Sequence, residues 1–151
     1  RVHETGLAFD DKSGDRLRAW LGMDRTTFYD ASLIAILPMG FCYPGQEKGA
    51  DLPPRPECAP LWHDRLLAFL PEVRFTLLVG RYAQARYLGS RAKGTVTETV
   101  LAWRAYLPQL MPVPHPSWRN TAWLRRNPWF EREALPALRA KIAALLGTGP
   151  P

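Results

Sequence analysis

No apolar run in the sequence approaches the ~20 consecutive residues that a membrane-spanning helix needs, and no positively charged start leads into an apolar stretch of the kind that opens a signal peptide. A cytoplasmic protein with no membrane partner is therefore expected. Cysteine is scarce, with only Cys42 and Cys58. Two thiols without a secretory signal point to free cysteines or metal ligands rather than a disulfide framework. Internal repeats are absent, and so are the Gly–Ser runs of a long flexible linker. The chain also does not begin with Met. Its first residues, Arg1-Val2-His3-Glu4-Thr5-Gly6, read as a loop entered midway, so natural sequence upstream is expected.

Within 151 residues the composition is 46% hydrophobic and 23% charged, which suits one globular domain around one core, spanning 1–151. Twenty Lys and Arg against fourteen Asp and Glu give a formal net charge of +6. That excess favours a polyanionic partner, because Lys and Arg gain by displacing counterions from phosphate. The fifteen prolines are spread through the chain and imply many shaped loops.

Hydrophobic spacing organises the rest. Ser13 or Asp11 can cap a helix from Asp15 to Leu21, closed by Gly22, with Leu17, Trp20 and Leu21 on one face. A helical turn over Asp24–Tyr29 follows. Leu33-Ile34-Ala35-Ile36-Leu37, Phe75–Val79 and Gln109–Val113 are continuous apolar runs of strand length. Helices are expected over 58–70, with Leu61, Leu66, Leu67 and Leu70 inward and His63 facing solvent, and over 81–88 and 95–107. A basic turn at 124–128 precedes a final helix over 129–146, which Pro136 kinks or delays. Residues 38–57 form a long irregular stretch with five prolines; such a loop is functional or pinned. Strands alternating with helices predict an α/β domain, three-layer α/β/α with a small parallel central sheet. Three strands are few for such a sheet, so a first strand upstream is expected.

The stretch Val113-Pro114-His115-Pro116-Ser117-Trp118-Arg119-Asn120 concentrates the chemistry. An apolar strand ends abruptly at a Pro-His-Pro step, and two prolines restrict the backbone around His115. The carboxyl end of a strand is where open α/β sheets bind ligands. Ser117, Arg119, Asn120, Arg125 and Arg126 are donors suited to phosphate oxygens, and Trp118 offers a stacking face or wedge. Two alternatives remain at this level: His115 caps a loop, or Trp118 and Trp123 are half-buried loop anchors beside a solvated basic face.

These residues carry a resemblance. Pro114-His115-Pro116-Ser117 resembles the histidine motif of the uracil-DNA glycosylase superfamily. Thr5-Gly6-Leu7-Ala8-Phe9 with Ser13-Gly14-Asp15-Arg16-Leu17 is similar to the segment that holds its base-stacking Phe. Thr76-Leu77-Leu78-Val79-Gly80-Arg81-Tyr82-Ala83 is similar to a following strand and helix. Ile36-Leu37-Pro38-Met39-Gly40-Phe41-Cys42 and Pro56-Glu57-Cys58 resemble the iron–sulfur branch. The pieces occur in the family's order and cover nearly the whole chain.

By position, the resemblance implies a DNA-repair glycosylase that hydrolyses the N-glycosidic bond of a flipped-out uracil or other deaminated base, acting on DNA as a monomer. His115 would donate to the O2 of the departing base, and Phe9 would stack on it. Pro116, Ser117, Trp118, Arg119, Asn120 and Arg125 would meet DNA. Cys42 and Cys58 would supply half of a [4Fe–4S] site, the other two thiolates lying upstream. The family's water-positioning turn would fall before Arg1; Glu4, Asp10 and Asp11 are nearby carboxylates, and Arg1–Glu4 lies one loop from Phe9. Pro38 stands where the iron–sulfur branch reads uracil with Asn, so backbone groups of Met39 or Gly40 would stand in. That departure motivates a second expectation, a non-catalytic binder of damaged or single-stranded DNA on the same fold.

Overall fold

The computed structural model describes residues 2–148, apart from the side chains of Val2, His3 and Ala50. In chain order its elements are α1 (Lys12–Leu21), β1 (Gln46–Glu47), β2 (Ala50–Asp51), α2 (Cys58–Leu67), β3 (Thr76–Val79), α3 (Gly80–Leu88), α4 (Val96–Leu101), β4 (Leu110–Val113), α5 (Thr121–Arg126) and α6 (Leu135–Leu146). Single helical turns lie at Val2–Thr5 and Arg25–Phe28. The chain divides into two compact units, one of residues 1–35 with 75–151 and one of residues 36–74. Among the described residues no helix is long and apolar enough to cross a membrane.

In the larger unit β3 and β4 pair in parallel, with Thr76 opposite Leu110 and Val79 opposite Val113. Both strands therefore finish at one level, and Gly80 and Pro114 leave the sheet side by side. Leu78, Met111 and Val113 are buried in it. Leu78, Leu88 and Tyr106 form a core cluster with Ala83, Tyr87, Ala102 and Leu110. Proline inside a strand removes a ladder donor, which a two-stranded sheet tolerates because each strand keeps an open edge. Pro112 occupies that kind of position, opposite Leu78.

Local chemistry sets α1. The Asp11 carboxylate accepts from the Gly14 amide at 2.9 Å, and Gly22 closes the helix in the left-handed region at φ 67°. Leu17, Trp20 and Leu21 are buried, and Trp20 meets Phe130 edge-on at 5.1 Å. Arg139 of α6 donates to the carbonyls of Ala19 and Trp20 at 2.9 and 3.2 Å. A cation on the last carbonyls of a helix is favourable twice, as hydrogen bond and as dipole partner.

Three expected elements are corrected. Leu33–Leu37 is not a strand: the Leu33 and Ile34 amides donate to the Asp30 carbonyl at 3.0 and 2.9 Å, and Leu33 is half exposed. An apolar run becomes a strand only with a ladder partner, so the described parallel sheet has two strands rather than three. The helix expected over 95–107 ends at Leu101 and continues as a tight turn over Trp103–Tyr106. The basic turn at 124–128 lies mostly in α5. The final helix spans 129–146 as expected, with a widened turn over Phe130–Ala134 just ahead of Pro136.

The smaller unit pins the Pro-rich loop in two places. β1 and β2 form a hairpin whose turn residues Lys48 and Gly49 both have positive φ, the backbone a two-residue hairpin turn requires. His63 was expected in solvent, yet it is fully buried and its Nε2 lies 2.8 Å from the Pro38 carbonyl. Phe41 meets its ring edge-on. Leu61, expected inward, is exposed instead, because α2 turns its His63 and Ala59 face inward.

Gly14 is the tightest position. A Cβ there would lie 1.7 Å from the Phe9 carbonyl oxygen, which is backbone and cannot swing away. Gly14→Ala should destabilise the protein by about 1–3 kcal/mol, as overpacking does. A urea-denaturation midpoint that does not move would contradict this.

Candidate functional site

Alternate prolines at 112, 114 and 116 leave the chain around His115 without three backbone donors. The carbonyls between them are taken by side chains from three places. Gln84 of α3 donates to the Val113 carbonyl at 2.8 Å. Asn120 donates to that of His115 at 2.7 Å. Arg16 of α1 donates to that of Ser117 at 2.9 Å. Pro114 and Pro116 are fully buried and His115 is exposed. Gly80, at φ +82°, lies against the imidazole: a Cβ there would sit 3.5 Å from the His115 Cβ.

Within this turn the Ser117 amide donates to His115 Nδ1 at 3.2 Å. An imidazole nitrogen that accepts cannot carry the proton, so the neutral ring bears its hydrogen on Nε2. His115 is thereby a donor of fixed tautomer.

Phe9 is half-buried and sits beside it, with ring centroids 6.3 Å apart and planes inclined by 33°. Its φ of 60° is unusual for a residue with a side chain and costs of order 1–3 kcal/mol. The surroundings hold it there. Gly14 fits beneath its carbonyl. Tyr29 Oη donates to the Ala8 carbonyl at 2.8 Å, and Phe28 packs edge-on at 6.4 Å. Asp10, nearly fully buried, accepts from Arg25 at 2.7 Å. That hydrogen bond raises the Arg25 guanidinium above its ordinary value, with Asp10 charge attraction adding to it. A base sandwiched between two rings needs about 7 Å, two carbon–carbon contacts of about 3.5 Å. The 6.3 Å separation is too narrow for a third ring to lie sandwiched between the two.

Beyond His115 lies a cleft of about 280 Å³ whose walls include Arg81, Thr97, Asn120 and Trp123. Trp123 donates to Thr97 Oγ1 at 2.7 Å and packs on Trp129 and Phe130; it is an anchor. Trp118, by contrast, is 71% exposed, with the Arg119 guanidinium over its ring at 5.8 Å.

A model of the uracil DNA glycosylase superfamily matches residues 1–139. The chain belongs to the uracil-DNA glycosylase superfamily. In this superfamily member the residues expected at the site are placed as follows. Phe9 and His115 are adjacent. Trp118, Arg119 and Arg125 are exposed on and after the His115 turn. Pro116 is buried and shapes that turn from beneath rather than facing DNA. Ser117 Oγ accepts from the Arg119 amide at 3.3 Å, so it also braces its own turn. Met39 and Gly40 lie in the smaller unit, both half-buried. Arg1 and the side chains of Val2 and His3 lie outside the described residues. Asp11 caps α1 and Asp10 pairs with Arg25.

Gly14, Arg16 and Gly80 stand inside the motifs that carry the resemblance but received no role from the sequence, and Gln84 stands outside them. The glycines carried a usable signal, since each lies in the first turn of a helix. Arg16 and Gln84 carried none, because their partners are 101 and 29 positions away.

Cys42 is exposed and Cys58 half-buried, both free thiols. Among the described residues no three His, Cys, Asp or Glu side chains gather as metal ligands do. A [4Fe–4S] cluster takes four thiolates, of which Cys42 and Cys58 would supply two.

Nitrogen-resolved NMR of the His115 ring should show the neutral form protonated on Nε2 with Nδ1 as acceptor. A ring protonated on Nδ1 would contradict the Ser117 hydrogen bond.

Proposed function

We propose that this protein is a DNA-repair glycosylase that hydrolyses the N-glycosidic bond of a flipped-out uracil or other deaminated base. The observation that carries the reading is an aromatic plane, Phe9, lying 6.3 Å from a turn-mounted imidazole whose tautomer is fixed by the Ser117 amide.

Breaking a glycosidic bond leaves positive charge on the sugar and negative charge on the departing base. A donor already aimed at the base oxygen gains strength as that charge develops, so it lowers the barrier more than it tightens substrate binding. The Nε2–H of His115 is that donor. It needs no reorganisation, because the prolines and three side-chain hydrogen bonds hold its backbone before substrate arrives. Phe9 stacks on the extruded ring. Trp118, on the rim and 71% exposed, is a wedge that fills the vacated stack. Ser117, Arg119 and Arg125 meet phosphates, which fixes register without reading sequence.

The second reading, a non-catalytic DNA binder, is favoured by Pro38. It has no amide to offer a base, and its carbonyl already engages His63. One experiment separates the two. The protein is incubated with oligonucleotides carrying uracil, hypoxanthine or xanthine, and base release and binding are measured across salt concentrations. Release of at least one base supports the glycosylase. Salt-dependent binding with no release supports the binder.

For the glycosylase, His115→Ala should lower the single-turnover rate about 10²–10³-fold, as loss of one preorganised donor does. An unchanged rate would remove His115 from the mechanism.

A further inference from the structure

We propose that Arg16 is a positioning residue that sets the His115 turn in register with Phe9; this rests on the glycosylase reading above and deepens it. The guanidinium lies on α1, one turn beyond the Asp11 cap, and is half-buried. Its Nη1 donates to the Ser117 carbonyl at 2.9 Å and its Nη2 to Thr121 Oγ1 at 3.2 Å. Those acceptors are the first residue after His115-Pro116 and the first residue of α5. Thr121 Oγ1 in turn donates to the Trp118 carbonyl at 2.7 Å. One planar fork therefore spans the turn that carries His115, Ser117 and Trp118.

The same stretch of α1 holds the other half of the site. Gly14 packs against the Phe9 carbonyl, and Arg18 donates to that carbonyl at 3.4 Å. Gly14, Arg16 and Arg18 thus tie two loops 100 residues apart to one rigid helical segment. A helix keeps its internal spacing, so the separation of plane and imidazole follows from it. Bidentate geometry is what Arg supplies and Lys cannot: an ammonium is a point donor without a fork. A shift of about 1 Å between plane and donor is enough to lose up to about 10²-fold in rate.

The test is Arg16→Lys in the full chain, with Thr121→Val as a second variant that removes one acceptor and leaves the charge. Three quantities are read: the single-turnover rate of base release, the Kd for the uracil oligonucleotide, and amide hydrogen exchange at residues 117–120. The expected result for Arg16→Lys is a rate lowered about 10- to 10²-fold with Kd unchanged, and exchange faster by roughly an order of magnitude. The two substitutions together should do little more than Arg16→Lys alone, because they break one device. A Kd that weakens in step with the rate, with exchange unchanged, would make Arg16 a DNA contact and overturn the proposal. Unchanged rate and exchange would also overturn it. If the unmodified protein releases no base, the proposed function fails by itself, and the exchange measurement still decides the clamp.

Discussion

Val113, His115 and Ser117 present three backbone carbonyls at the carboxyl end of the parallel sheet, and each is held by a side chain from a different element: Gln84, Asn120 and Arg16. The intervening prolines cannot donate, and their φ is fixed. A segment built this way has few conformations to choose among. Its entropy is lost at folding rather than at substrate binding, which is the physical meaning of a preorganised donor. The tautomer of His115 follows from the same turn, since the Ser117 amide claims Nδ1.

Phe9 answers the same demand by different means. Its backbone is strained at φ 60°, and strain persists only where surrounding contacts over-determine it. Asp10, the residue after it, is buried and paired with Arg25; Tyr29 holds the carbonyl before it; Gly14 yields the space beneath it. The stability spent on one left-handed phenylalanine is recovered from a ring of hydrogen bonds around it. Plane and imidazole are then both mounted on backbone that cannot drift, with α1 as the shared support.

Much of this frame was legible in the sequence, and the failures have particular causes. The helix expected over Asp15–Leu21, which the structure starts at Lys12, and its stop at Gly22 could be read because caps and spacing are local. The strands at Phe75–Val79 and Gln109–Val113 could be read because uniformly apolar runs of that length are buried. Leu33–Leu37 misled for the same reason: its apolar pattern says nothing about whether a neighbouring strand exists to pair with it. His63 misled because charged neighbours along the chain suggested solvent, whereas the Pro38 carbonyl, 25 positions away, satisfies it in the interior. The ordered motifs pointed to Phe9 and His115 but gave no role to Arg16 or Gln84, whose partners are met only in the folded chain.

The central claim is that Phe9 and His115 together receive one extruded base. The most direct measurement is an NMR titration with an oligonucleotide containing 2′-fluorinated deoxyuridine, whose glycosidic bond resists cleavage. The Phe9 ring protons should shift through stacking and the His115 Nε2 proton should move downfield on hydrogen bonding, both saturating at the same oligonucleotide concentration. Tight binding that shifts Trp118 and the arginines while Phe9 and His115 stay still would contradict the account.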